Sequence, residues 1–457
     1  MANVCIREYG VLYPDSVVVL KQTLSIQVIP VTAWDWLLKE ACGTDSHKPL
    51  VKPIKRNSHT GLQVLNYVGV ITTPCGCQIE IVPKIDKFYV KSDDPKQQKE
   101  EATNCRLKLV QMLSRIGLIK FREFNNASLQ LFDKPLPEVL INQFLNDVSL
   151  LIKRGIRNDY IAVRDETSFL KGRLQIASQI RQPVGRQHLF RIEHDEFLPD
   201  RAENRLIRSA LMKISKQTTD HQNKRLSIEL LFVFDDIPLS RNYKTDFVSW
   251  LDNDRSMIHY KPVKSWCDFI LNEQSPFSLA GSHHGLSFLF PMNFLFEKYV
   301  AVVLQNQLDN DFLVKEQAAS RYLIEEHLAD DYCATKIFQL KPDLMIKKGD
   351  QNIAVLDCKW KVINSSNREK KYDISSGDMY QLYAYGQKYM SGKGNLYLIY
   401  PESTIFNKPL PVFEFDKNLR LYVVPFKWSH VRGNEQDYVS FENKNLYWIA
   451  KKTENKI

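Results

Sequence analysis

"KPDLMIKKGDQNIAVLDCKWK", residues 341–361, holds two short apolar runs around the polar turn Lys348-Gly349-Asp350-Gln351, with Asp343, Asp357 and Lys359 planted where strand hydrophobes are expected. Flanking residues extend both runs, so 335–348 and 352–362 read as the two strands of a hairpin. Strand side chains alternate faces, which sends Asp357 and Lys359 the same way and brings Asp343 to the same spot if the register allows. Charges buried against Leu344, Ile346, Val355 and Leu356 are costly unless compensated, and a divalent cation compensates carboxylates directly. Mg²⁺ prefers such hard oxygen ligands beside a substrate phosphate, and a neighbouring lysine positions or deprotonates the attacking water. The competing reading is a half-exposed hairpin whose charges face water, because an Asp-x-Lys triplet is common by chance.

Working outward, Pro291 opens a helix that carries Glu297 and has Phe296, Tyr299, Val300, Val303 and Leu304 on its apolar side. Downstream, "SGDMYQLYAYGQKY" (376–389) sets Gln381 and Tyr385 four apart on one helix face. The order is a helix with Glu, a strand with Pro-Asp, a strand with Asp-x-Lys and a helix with Gln-x-x-x-Tyr. That order resembles the RecB-like branch of the PD-(D/E)xK nuclease superfamily.

Further blocks resemble the McrC family: "YVGVITTPCGCQIEIVPKI" (67–85), "LVQML" (109–113), "RGIRNDYIAVRDETSFLKGRL" (154–174), "DEFLPDRAENRLIRSALMKI" (195–214) and "NFLFEKYV" (293–300). McrC is the nuclease subunit of McrBC-type restriction systems, where a hexameric GTP-hydrolysing AAA+ partner, McrB, recognises modified DNA and translocates it. Carried onto this chain, the resemblance implies metal ligands Asp343 and Asp357, a catalytic Lys359, and supporting roles for Glu297, Gln381 and Tyr385. It also implies Mg²⁺ with Mn²⁺ as a substitute, double-stranded DNA carrying 5-methylcytosine as substrate, an McrB-like AAA+ GTPase hexamer as partner, and a role in antiviral defence. Extra sequence near 37–60 and 86–104 departs from the compact family members. The alternatives are an adaptor that only activates the AAA+ motor and a stand-alone RecB-like repair nuclease.

At 457 residues the chain exceeds what one core usually organises. The expected fold class is α/β (mixed α+β), with a β-rich partner-docking region at 1–125, a mixed helical region at 126–285, and a PD-(D/E)xK restriction-endonuclease-like domain at 286–457. The β-rich part rests on Val/Ile/Tyr-rich stretches at 15–36 and 61–85, the second read as a hairpin about Pro74-Cys75-Gly76. Helices are expected at 136–154, stopped by Gly155, and at 200–215. Residues 90–104 lose apolar character and read as a solvated connection.

A formal charge of +9 favours a polyanionic partner, since Lys and Arg gain affinity by releasing phosphate counterions. No run is long and apolar enough for a membrane span, and the N-terminus lacks a signal-peptide core, so a cytoplasmic protein with reduced thiols and no membrane contact is expected. Its eight cysteines are scattered, and Cys75-Gly76-Cys77 reads as a turn with incidental thiols. His283-His284 reads as part of a surface loop. The nearest approach to a phosphate loop, "GQKYMSGKG" (386–394), has one residue too many between its glycines and Gly394 where Ser or Thr is required, so nucleotide hydrolysis must come from another chain.

Overall fold

The computed structural model describes residues 3–17, 22–42, 49–56, 59–86, 94–117, 134–250, 255–271, 288–328, 334–429 and 436–441. His283 and His284 lie outside them. The chain is mixed α/β and forms two compact units, one from residues 1–120 with 289–457 and the other from 121–288. Both ends of the chain thus share one unit. Among the described residues no helix is long and apolar enough to cross a membrane.

In the first unit, strand Asn3–Arg7 runs parallel to Gln78–Val82, which forms the expected hairpin with Tyr67–Thr72. The hairpin turn closes through Thr73 N–H to Cys77 O at 2.9 Å. A second sheet orders Ile26–Ile29, Val11–Pro14, His59–Val64 and Val51–Arg56. Of the β reading of 15–36, only Ile26–Ile29 is strand among the described residues: Pro30 lacks an N–H to continue a ladder, and Val31–Trp36 is helical.

Residues 95–104 are helix rather than solvated connection. Asp94 caps helix Pro95–Arg115 through Lys96 N–H at 3.0 Å, with Pro95 at its first position. The charged face is buried because it is paired: Glu101 meets Arg7 at 2.9 Å and Arg106 meets Glu80 at 2.6 Å. Those partners lie far away in sequence, so local composition could not reveal them.

The C-terminal part of this unit is built on a seven-stranded mixed sheet. Strand Leu344–Lys348 pairs antiparallel with Gln351–Cys358, followed in parallel by Gly394–Pro401 and Leu419–Lys427. The first strand of the expected hairpin is in fact two. Ala334–Leu340 pairs with Arg321–Leu328 in a separate ribbon, and Pro342 interrupts the chain before Leu344. Helix Ser376–Met390 covers the sheet, packing Leu382, Tyr385 and Tyr389 against Val355, Leu396 and Leu398. Gly386 permits that approach, since a Cβ there would lie 2.7 Å from Leu419. Helix Met292–Gln307 buries Phe296, Tyr299, Val300, Val303 and Leu304, as its apolar spacing predicted; each such side chain is worth about 1.5–3 kcal/mol.

The second unit holds helices Leu136–Arg154 and Ala202–Gln217, both with their predicted apolar faces buried, and Gly155 ends the first at φ 96°. Buried Glu138 joins helices here, accepting from Thr218 Oγ1 and Thr219 N, each at 2.7 Å. An antiparallel ribbon, Asp159–Thr167 with Phe190–Leu198, completes the unit and leaves Tyr160 and Phe197 exposed against each other.

Candidate active site

The hairpin register brings the two aspartates together. Its turn pairs Lys348 with Gln351, a register that, extended, would set Asp343 opposite Leu356 and on the other face from Asp357. A β-bulge intervenes: the pairs shift between Ile346–Ala354 and Lys347–Asn352, leaving Ile353 as the extra residue. Beyond the bulge Leu344 opposes Leu356, so Asp343 comes level with Asp357 on one face. Asp343 itself lies just before its strand, and its Oδ2 accepts from Cys358 N–H at 2.8 Å.

Asp357 is 1% exposed, and neither of its oxygens has a hydrogen-bond donor in bonding geometry among the described residues. Lys359 stands beside it as an ion-pair partner, Nζ to Oδ2 2.8 Å. Burial drives the Asp357 carboxyl upward, the Asp343 charge drives it further, and Lys359 only partly offsets both. Asp343 is likewise raised, by burial first and then by the charge of Glu297, against the pull of the Cys358 N–H.

Lys359 follows the end of strand Gln351–Cys358, its N–H bonded to Ile399 O at 2.9 Å. Its Nζ also donates to Gln381 Oε1 at 3.3 Å and lies 3.6 Å from Asp378 Oδ1. Burial pulls the ammonium down, but Asp357, Asp378 and Asp343 outweigh it, so the pKa is raised and the group is held charged. Gln381 Nε2 donates to Tyr385 Oη at 2.7 Å, and that hydroxyl donates to Lys341 O at 2.9 Å. The helix is thereby fastened to the connector that carries Asp343.

Glu297 stands apart from this cluster. Its Oε1 accepts from Gln317 Nε2 at 3.2 Å, its carboxyl is raised by burial, and it acts on Asp343 through charge. Among the described residues no three His, Cys, Asp or Glu side chains gather as a metal-holding group, so the donor set is the Asp343–Asp357 pair.

Sequence reasoning missed two residues. Asp378 precedes Gln381 by one helical turn, a spacing that could have flagged it. Gln317 joins Glu297 to Asp343, whose carbonyl accepts from Gln317 N–H at 2.8 Å; it sits on a loop with φ 42°, and no local pattern signals it.

A solved chain from the half-complex of Thermococcus gammatolerans McrB AAA+ hexamers with bound McrC shares this fold, with a TM-score of 0.66 at 18% identity over 95% of this chain and 97% of that one. A chain of the Thermococcus gammatolerans McrBC complex aligns over 66% of this chain and 87% of its own, at 19% identity and a TM-score of 0.44. No curated protein matches. The family model described as McrBC 5-methylcytosine restriction system component matches residues 62–401, from the N-terminal hairpin through both aspartates, Lys359 and the Gln381 helix. With well over half of its residues matched by that model, the chain belongs to the McrBC 5-methylcytosine restriction system component family.

Proposed function

We propose that this chain is the Mg²⁺-dependent DNA endonuclease subunit of its restriction system. It cuts phosphodiester bonds in cytosine-methylated foreign DNA when driven by a GTP-hydrolysing AAA+ hexamer, and it stimulates that partner's hydrolysis. The observation that carries this reading is Asp357, a buried carboxylate whose one close cationic partner is Lys359 among the described residues and which faces a second raised carboxylate. Two adjoining carboxylates that one lysine and one backbone N–H leave under-compensated fit a hard divalent cation.

Asp343 and Asp357 would hold Mg²⁺, or Mn²⁺ in its place. When bound, the ion supplies Lewis-acid polarisation of the scissile phosphate and activates water. Lys359, kept charged by its acidic neighbours, orients the attacking water and offsets charge that develops on phosphate oxygens. A held ammonium is a poor proton acceptor, so Lys359 serves as an electrostatic group rather than a base. Gln381 and Tyr385 hold the ammonium in place. The net charge of +9 supports DNA as the polyanion.

The test is plasmid cleavage by this protein with a cognate AAA+ GTPase, GTP and Mg²⁺, on methylated and unmethylated DNA. Cutting of methylated DNA alone, lost in Asp357→Ala with stimulation of GTP hydrolysis retained, is the expected result. Equal cutting by Asp357→Ala would overturn the site, and no cutting with intact stimulation would leave an adaptor.

A further inference from the structure

One fully buried carboxylate has no place in the chemistry just described. Glu8 is 1% exposed and follows strand Asn3–Arg7 at the other end of the chain. Its Oε1 accepts from Lys84 N–H at 3.0 Å and its Oε2 from Trp360 Nε1–H at 2.9 Å, across 352 residues of sequence. Its own N–H bonds Val82 O at 3.1 Å, which ties its backbone to the N-terminal sheet. Burying an acid this deeply is expensive, and both donors it receives are neutral.

Trp360 is the residue after the catalytic lysine. There the sheet ladder has ended, and Lys361 N–H turns back to Lys359 O at 3.0 Å, so Trp360 sits at the apex of a tight turn. Its ring lies 5.2 Å from that of Phe296, the neighbour of Glu297, and 6.1 Å from that of Trp428. The indole therefore packs on the helix that carries Glu297 while its own backbone adjoins Lys359, and Glu8 fixes its orientation.

We infer that Glu8 is a positioning residue: through Trp360 it latches the turn that aims Lys359, which couples the N-terminal sheet to the cutting centre. This rests on the nuclease reading for its catalytic consequence, but the latch itself can be tested without cutting. A displacement of the sheet that carries Glu8 and Lys84 reaches Lys359 through one hydrogen bond and one peptide unit.

The test uses Glu8→Gln, Trp360→Phe and the double variant of the full chain. Trp360→Phe removes the donor and keeps most of the ring, while Glu8→Gln keeps the shape and replaces one acceptor. First, acetylation of Lys359 is timed by peptide mass spectrometry in the metal-free protein, against exposed Lys417 on a distant turn as reference. Faster labelling of Lys359 alone in both single variants, with the double no faster than either, is expected. Labelling at the wild-type rate, or equal acceleration at Lys417, overturns the latch.

Second, DNA cleavage should lose about ten-fold in kcat with KM for DNA unchanged, the scale of removing a group that orients a ligand residue. The double variant should match the worse single one, because both break one interaction. Additive losses, or a change in KM alone, overturn the proposal. A wild-type protein that does not cut defeats the nuclease reading and leaves the labelling result to decide the latch.

Discussion

Two buried aspartates in one compact unit are treated in opposite ways. Asp437 receives Lys108 Nζ at 3.0 and 3.2 Å, Tyr299 Oη at 2.5 Å, and Ser429 N and Oγ at 2.7 Å each. Burial pushes its carboxyl up, yet Lys108, Tyr299 and Ser429 outweigh that and hold it below the ordinary range. Asp357 is as deeply buried, has only the Lys359 ammonium beside it at 2.8 Å among the described residues, and is raised. A carboxylate saturated with donors holds a fold together, whereas one buried with too few of them costs stability and is available to a ligand.

The strongest test of this contrast is Asp357→Ala. Cleavage should fall about a thousand-fold, the scale of removing one strong electrostatic stabiliser of a transition state, while the melting temperature in EDTA holds or rises. A large loss of stability instead would make Asp357 a structural acid like Asp437.

Asp437→Asn should do the reverse. It takes the Asp437 charge away from the buried Lys108 ammonium, at a cost of about 3–5 kcal/mol by denaturant titration, with kcat per folded molecule unchanged. Unaltered stability would erase the distinction.

Gln381→Ala should lower cleavage about 10- to 100-fold with stability nearly intact, because it removes one of the contacts that orient Lys359 Nζ without emptying the core. A loss confined to DNA affinity would remove Gln381 from the lysine's support.

The smallest effect is on pH dependence in EDTA. Asp343 and Asp357 are raised from 3.8 to about 6 and about 7, so their contribution is complete below the unfolded value and is lost as pH rises through the folded ones. Stability should therefore fall by at most about 4 kcal/mol from about pH 5 to about pH 8, at about 1.4 kcal/mol for each pKa unit titrated. Asp437, being lowered, contributes above its unfolded value and loses that only as pH falls below it, so it is silent over this window. Thermal melts of wild type and Asp357→Asn check this, and a flat profile in wild type would contradict the raised carboxyls.

Much of the molecule was legible locally. Apolar spacing placed the helices at Leu136–Arg154, Ala202–Gln217 and Met292–Gln307, because a helix face is written within a few turns of its own chain. Helix Pro95–Arg115 was hidden, since its buried Glu101 and Arg106 look like solvated charges until Arg7 and Glu80 arrive from elsewhere. Gln317 and the Glu8–Trp360 bond were hidden for the same reason.

By itself the sequence determined which side chains the candidate site has to work with: Asp343 after Pro342, Asp357 two before Lys359, and Gln381 four before Tyr385, all set by spacing along single elements. Only the tertiary structure decided that they meet. One extra residue, Ile353, shifts the hairpin register so that Asp343 and Asp357 share a face, and a strand's period of two makes that single step the difference between a joined pair of acids and a separated one.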